Sequence, residues 1–435
     1  MTDSPASTLL PRTTCPHCWH QFEPYQVLWI ASHPSLRGDP KLRGDAFRRF
    51  LPSRFTVKGG ALDEMGVECT QLACPNCHLH VPRLGLELKP WFASIFGAQA
   101  SGKSYYLAAM IYALRRRLPA GFNVSFTDSD ASANRYLVGF EQSLFYNPSP
   151  EELQPLKQLI VKTQEHGDPY ETVQFGDNKI DFPRPYMFTI RPQQGHPLVR
   201  DPDPVSCMLC LYDNAGESFE PGRESAISPV TRHLVESSLL MFLFDPTQHQ
   251  PFRRKLASIG NEIPSDRPDK GDARQDQILI EVGNRIRRFK GLRDTDKYDR
   301  PLIVIVTKLD VWEQLVPEFS VQSPMIASTR SGSAALNLDR VEDLSKAIRR
   351  LLLELTPEVV TAAESLAKSV TYIGVSALGT TPIPHPDAPK NPYAVRPIDI
   401  QPSNVEVPIL YGLNHQFPKL VPGGRRSTGG ARSTT

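Results

Sequence analysis

Residues 95–107, IFGAQASGKSYYL, constrain the chain more than any other stretch: an apolar run, a loop of small residues, then Lys103 and Ser104 opening a helical pattern. Gly97, Gly102, Lys103 and Ser104 fit G-x-x-x-x-G-K-[ST]. In that pattern backbone N–H groups wrap phosphates, the lysine neutralises them and the hydroxyl ligates Mg²⁺. Gly97, Ala100, Ser101, Gly102, Lys103, Ser104 and Tyr105 are therefore the expected phosphate contacts, with Lys103 also serving catalysis and Ser104 the metal.

The rest of the chain supplies a body for such a loop. Apolar runs at 91–96, 186–191, 206–212, 238–244, 301–306 and 370–375 end in turn or polar residues and alternate with helical patterns. That alternation predicts an α/β fold, a mostly parallel sheet with helices on both faces. The spacing predicts a helix over 103–118, closed by Arg115, Arg116 and Arg117 at the negative end of its dipole with Pro119 beyond. The expected organisation is a cysteine-containing head at 1–88 with a basic insertion at 19–68, a body at 89–415, and a disordered basic tail at 416–435. Within the body, 379–404 is rich in proline and reads as an extended connection, followed by a last helix in VEVPILYGLNHQF.

Composition narrows the class. Lys and Arg number 49 against 47 Asp and Glu, a formal charge of +2, so no overall excess drives the molecule onto nucleic acid or an anionic surface. No apolar run approaches the about 18 residues that a membrane helix needs. The first residues, MTDSPASTLLPRTT, lack the basic start and apolar centre of a signal peptide. The expected location is the cytoplasm, where the seven cysteines serve metal binding or packing rather than disulfides.

Three further segments bear on the nucleotide. CMLCLYDNAGESFE places Asp213 at a strand end and Gly216 three residues on, a D-x-x-G in which Asp reaches Mg²⁺ and the Gly amide senses the γ-phosphate. PLIVIVTKLD supplies Thr307, Lys308 and Asp310 after another strand. A carboxylate there accepts two hydrogen bonds from guanine, whereas adenine would leave it desolvated and unmatched. TYIGVSALG ends in Ser376, Ala377 and Leu378, a turn whose backbone N–H suits the guanine O6.

These segments, in this order, resemble the Ras-like P-loop GTPases of the translation-factor-related (TRAFAC) class over about residues 90–415. The cysteine head, the long insertions and VEVPILYGL are similar to the bacterial double-GTPase family. The resemblance implies GTP or GDP with Mg²⁺ as ligands, held by the phosphate loop, Asp213, Gly216, Thr307, Lys308, Asp310 and the turn at 376–378. It also implies partner proteins of the same multi-gene conflict or signalling system, another GTPase or a second copy among them. Two positions depart from the pattern. Glu217 stands where such enzymes often carry a water-orienting Gln, so intrinsic hydrolysis is expected to be slow or to use another group. The switch threonine that would close on Mg²⁺ is expected at Thr163, which follows an apolar run into a polar loop, with Thr172 as the other candidate.

In the head, CPHC at 15–18 and CPNC at 74–77 are matching C-P-x-C turns. Cys15, Cys18, Cys74 and Cys77 are expected to close a structural tetrahedral Zn²⁺ site with no open position for catalysis. Cys69 reads as a core residue, His17, His20, His78 and His80 as solvated loop histidines, and Cys207 and Cys210 as strand residues facing opposite ways. Residues 37–58 carry seven Lys or Arg against two Asp, with Phe47, Phe50 and Phe55 between them. That stretch fits a folded insertion with a solvated cationic face, a nucleic-acid contact by phosphate pairing and stacking, or a dock for an acidic protein.

The expected function is a GTP-hydrolysing molecular switch. The competing expectation is a scaffold that holds GTP and scarcely turns it over, its zinc head and basic insertion binding protein or nucleic acid. A third, an ATP-driven machine, offers no reason for TKLD at a strand end.

Overall fold

The computed structural model describes residues 9–42, 44–160, 170–214, 229–261, 274–321, 323–328, 333–385 and 393–424. Its centre is a seven-stranded sheet built from β1 (Lys89–Gly97), β2 (Val124–Asp128), β3 (Tyr186–Pro192), β4 (Cys207–Asp213), β5 (Leu239–Phe244), β6 (Leu302–Val306) and β7 (Val370–Gly374). The order across the sheet is β2-β3-β4-β1-β5-β6-β7. Strands β4, β1, β5, β6 and β7 are parallel, while β3 runs antiparallel to both β2 and β4, so the sheet is mixed. The six expected runs all form strands. Residues 124–128 and the antiparallel edge were not legible in advance.

Strands β5, LLMFLF, and β6, LIVIV, are buried at every position, because each has cover on both faces. On one face, Ile95, Leu209, Leu211, Met241, Leu243, Ile303 and Ile305 share a core with α1 (Lys103–Arg117), α2 (Ala131–Phe145) and α8 (Val407–Gln416). On the other, Leu240, Phe242, Phe244, Val304 and Val306 meet α4 (Gln250–Ser258), α5 (Gln275–Lys290), α6 (Leu338–Leu355) and α7 (Pro357–Leu366).

That second face is not helical throughout. Over β3 and β4 the cover is the cysteine head: Met187, Met208, Cys210 and Tyr212 pack into one cluster with Cys15, Cys18, Trp19, Phe22, Cys74 and Cys77. The two-residue period of β4 divides Cys207, on the α1 face, from Cys210, on the head face, as the strand reading requires. A hairpin of Tyr170–Phe175 and Asn178–Pro183 joins this cluster through Val173 and Phe182. Helices thus lie on both faces of the sheet, and over β3 and β4 the cysteine head takes the place of helical cover on the second face.

The last helix packs back on the body through Ile409, Leu410 and Leu413. Packing continues past it, since Phe417, Leu420 and Val421 are buried and Gly423–Gly424 pair with Leu336–Asn337. Residues 416–424 are therefore structured rather than part of a disordered tail, and 425–435 lie outside the described residues. The proline-rich stretch forms Ile383–Pro384 and Tyr393–Val395, which pair with each other, and Tyr393–Val395 also pairs with Gln154–Pro155.

Candidate functional site

The sheet order creates the site. From β1 the chain goes to the far edge at β2 and builds back inward through β3 to β4 beside β1, then crosses to β5, β6 and β7 on the other side. At such a reversal the loops leaving the carboxyl ends diverge and open a crevice. Gly97, Asp213, Asp245, Thr307 and Val375 end or directly follow the five parallel strands, so their loops share one edge.

At the centre, Gly97 must lack a side chain, because a Cβ there would lie 2.5 Å from the Leu243 carbonyl oxygen of the adjacent strand. The loop turns through Ala100 (φ 55°) and Gly102 (φ 89°), and the Ser101 N–H bonds to Ala98 O at 3.3 Å. Gly102 then caps α1, leaving the first amides of that helix directed at the loop. Lys103 Nζ folds back on the carbonyls of Gly97 and Ala98 at 3.2 and 3.5 Å. Ser104 is half-buried in the first turn. Tyr105 turns its hydroxyl to Leu156 O at 2.5 Å, so only its backbone faces the loop's chemistry.

Asp213 pairs in register with Ile95, two residues before the loop, and Asn214 N–H bonds to Ile95 O at 3.1 Å. Asp213 Oδ1 is buried with no hydrogen-bond partner among the described residues. Burial pushes its carboxyl up from the ordinary carboxylate range, and the Lys103 ammonium opposes that rise. A buried, unpartnered carboxylate oxygen near an ammonium is suited to a hard divalent cation and phosphate. Thr163, Gly216 and Glu217 lie outside the described residues.

The sequence reading missed DPTQH at 245–249, which follows β5. Asp245, 1% exposed, accepts from Thr247 N (3.0 Å), Thr247 Oγ1 (2.7 Å), Gln248 Nε2 (3.0 Å) and Lys308 Nζ (2.9 Å). Gln248 Nε2 also donates to Ala100 O at 3.2 Å. A continuous set of polar contacts therefore runs from the phosphate loop through Gln248 and Asp245 to Lys308. The available signal was the aspartate directly after an apolar run, as at Asp213.

Lys308 takes a left-handed conformation (φ 58°), and Leu309 N–H bonds to Val375 O at 3.0 Å, which joins the TKLD loop to the loop after β7. Thr307 Oγ1 donates to Phe244 O at 3.2 Å, while Trp312 Nε1 donates to Thr307 O at 2.7 Å. Asp310 is half-buried in the first turn of Leu309–Trp312 and has no partner among the described residues. At the far end, Ser376 N–H bonds to Ser403 O at 3.0 Å and its hydroxyl accepts from Gly379 N. The amides of Ala377 and Leu378 are the donors this turn has left.

The four head cysteines form a second candidate site. Their sulfurs all lie within 4.8 Å of one another, with Cys15–Cys77 and Cys18–Cys74 both at 3.7 Å. A tetrahedron with zinc–sulfur bonds of about 2.3 Å has edges of about 3.8 Å, so the spacing fits that metal and excludes disulfides. The two knuckles are alike. His17 N–H and Asn76 N–H donate to Cys15 and Cys74 Sγ, and Trp19 (φ 55°) and His78 (φ 63°) close both turns in left-handed backbone. Burial pushes the Cys15 and Cys77 thiols up, whereas hydrogen bonds from Cys15, Cys74 and Cys77 draw Cys18 down. Cys69 is apart, its sulfur near Asp63 Oδ2 and Val67 O.

Two of the four head histidines, His17 and His78, are largely buried, contrary to expectation, while His80 stays 38% exposed though paired. His17 is buried against His80 O, His78 pairs with buried Asp39 at 2.9 Å, and His80 pairs with Asp130 at 3.0 Å. Much of the basic insertion is also internally bonded: Arg49 holds His78 O and Phe47 O, Lys41 Nζ holds Asn76 O, and Arg37 lies over Phe47. Those contacts favour the folded-insertion reading of residues 37–58.

No family model matches this chain. It is 24% identical over 403 residues to SaeC of Mycolicibacterium smegmatis, named as an ESX-1 scaffolding and assembly protein, covering 85% of this chain and 92% of SaeC. Among solved structures it is similar to the GTPase-like domain of S. cerevisiae Ski7 bound to GTP (TM-score 0.27) and bound to GDP and inorganic phosphate (TM-score 0.28). Both are 13% identical and cover 67% of this chain, which spans 43% of each Ski7 chain. No described helix is long and apolar enough to cross a membrane.

Proposed function

We propose that this chain is a Mg²⁺-dependent, GTP-hydrolysing molecular switch of the Ras-like P-loop class, related to the double-GTPases, that works in the cytoplasm on partner proteins of its own system. The observation that supports it is the shared edge: a phosphate loop at the central strand, linked by Gln248 and Asp245 to Lys308 and so to the loop bearing Asp310. GTP supplies the transferable γ-phosphate. Lys103 and the α1 amides would hold the phosphates, Ser104 and Asp213 the Mg²⁺, with Thr163, Gly216 and Glu217 beside the γ-phosphate. Asp310 would read guanine, with Ala377 and Leu378 at its back edge. The head would hold a structural Zn²⁺.

Direct binding of GTP, GDP and ATP with Mg²⁺, repeated with Asp310→Asn, tests this. The expected result is a guanine preference that collapses in the variant. Equal binding of ATP by the wild type overturns it.

A second reading, a scaffold that holds GTP with little turnover, is favoured by the likeness to SaeC across most of both chains. Turnover that stays slow with and without a candidate partner supports the scaffold; acceleration by the partner supports the switch.

A further inference from the structure

The cysteine head touches the nucleotide edge at one strand. Along β4, Met208, Cys210 and Tyr212 face the head cluster, and the next residue is Asp213. Tyr212 is fully buried, and its hydroxyl donates to Pro16 O at 2.6 Å, inside the first cysteine knuckle. Its ring lies 5.6 Å from Trp19, the residue that closes that knuckle, and is stacked 5.3 Å from His233 of α3 (Pro229–Glu236). His233 Nδ1 bonds to Ser94 Oγ of β1 at 2.8 Å, and Ser94 Oγ bonds to Ser237 Oγ at 2.7 Å. The knuckle, the end of β4, the middle of β1 and α3 are thus held by one buried group of side chains.

Asp213 has no hydrogen-bond partner at Oδ1 among the described residues. Its place is set by backbone pairing with Ile95 and by the neighbour whose side chain is fixed in the knuckle. Close-packed interiors transmit a displacement at one such contact to the next.

We propose that the four-cysteine head, acting through Tyr212, positions Asp213, so that metal held by the head and Mg²⁺-nucleotide held at the phosphate loop are energetically linked. The inference rests on the reading of Asp213 as the Mg²⁺-side carboxylate and of the cysteines as a zinc site. Tyr212 is a positioning residue: it touches neither ligand. Linkage is reciprocal in binding free energy, so under this proposal each ligand tightens the other's binding by the same factor.

The test uses the full chain loaded with zinc. Zinc affinity is measured by equilibrium competition with a chromophoric chelator, for the protein alone, with Mg²⁺ and GTP, and with GTP in EDTA-free, Mg²⁺-depleted buffer. Nucleotide affinity is measured with and without Mg²⁺ for the wild type and Tyr212→Phe, which keeps the ring and removes only the bond to Pro16. The expected results are about five-fold tighter zinc binding with Mg²⁺-GTP, and a Tyr212→Phe loss of about five-fold in nucleotide affinity confined to the Mg²⁺-dependent part. A general structural role would lower affinity equally with and without Mg²⁺, which overturns the proposal. Binding of both ligands with unchanged zinc affinity also overturns it and leaves the proposed function standing. A wild type that binds no GTP overturns both.

Discussion

The two candidate sites are built in opposite ways. The cysteine site is assembled by two four-residue turns that repeat the same backbone geometry, and its four sulfurs would fill every position of a tetrahedral ion. The nucleotide edge draws on five loops spread over about 280 residues of sequence, joined by the order of the strands rather than by any local motif. A site closed on itself stabilises the fold around it; a site at a sheet edge leaves carboxylates and amides open for a ligand. Their failures should therefore differ: losing a cysteine should cost stability, and losing a loop residue should cost affinity.

The largest effect should follow Cys74→Ser. Removing one of four thiolates is expected to abolish stoichiometric zinc, measured by elemental analysis, and to destabilise the chain by more than about 3 kcal/mol, because metal affinity in such sites is folding free energy. Lys103→Ala should do the converse. Thermal stability should stay within about 0.5 kcal/mol, while GTP affinity falls about 100-fold, since a phosphate would lose its charge-assisted partner. A Cys74→Ser protein that keeps its zinc and its melting temperature would break the comparison.

What the sequence disclosed follows the same division. The proposed phosphate loop and the knuckles are each contiguous, so their spacing alone marked them as candidates. The apolar strands were legible because burial on both faces leaves an uninterrupted run, as in LLMFLF. Asp245 and Gln248 were not, because DPTQH is by itself an ordinary capped turn and gains its role only when β5 lies beside β1. Likewise CMLCLYD announces two faces by its period, yet which element covers each face depends on topology. Asp39 and His78 meet across 39 residues, and no pattern at either position marks the pair.

At the seam between the regions sits His233. Burial holds its pKa at about 3, against about 6.5 for a free imidazole. Between those values the unfolded chain binds a proton that the folded chain does not, so stability is full above about pH 6.5 and declines as pH falls toward 3. At pH 5 the loss relative to pH 7 should be about 2 kcal/mol. His233→Gln should lack that component, so the difference between the two denaturant-unfolding curves should shrink by this amount on going from pH 7 to pH 5. A constant difference would mean that the seam admits a charged imidazole and that the two regions are packed less tightly than their contacts indicate.

The smallest effect should come from Gln248→Ala. It removes the donor to Ala100 O and to Asp245 Oδ2 but leaves Lys308 on Asp245, so the base-side loop keeps its anchor. One net hydrogen bond is worth about 1 kcal/mol, which corresponds to about five-fold weaker nucleotide binding, with zinc content unchanged. Because Gln248 reaches the loop's carbonyls rather than its phosphate-facing amides, GDP and GTP should weaken equally. Selective loss of GTP would instead place Gln248 beside the γ-phosphate, and would give this edge a hydrolytic side chain that follows β5 rather than β4.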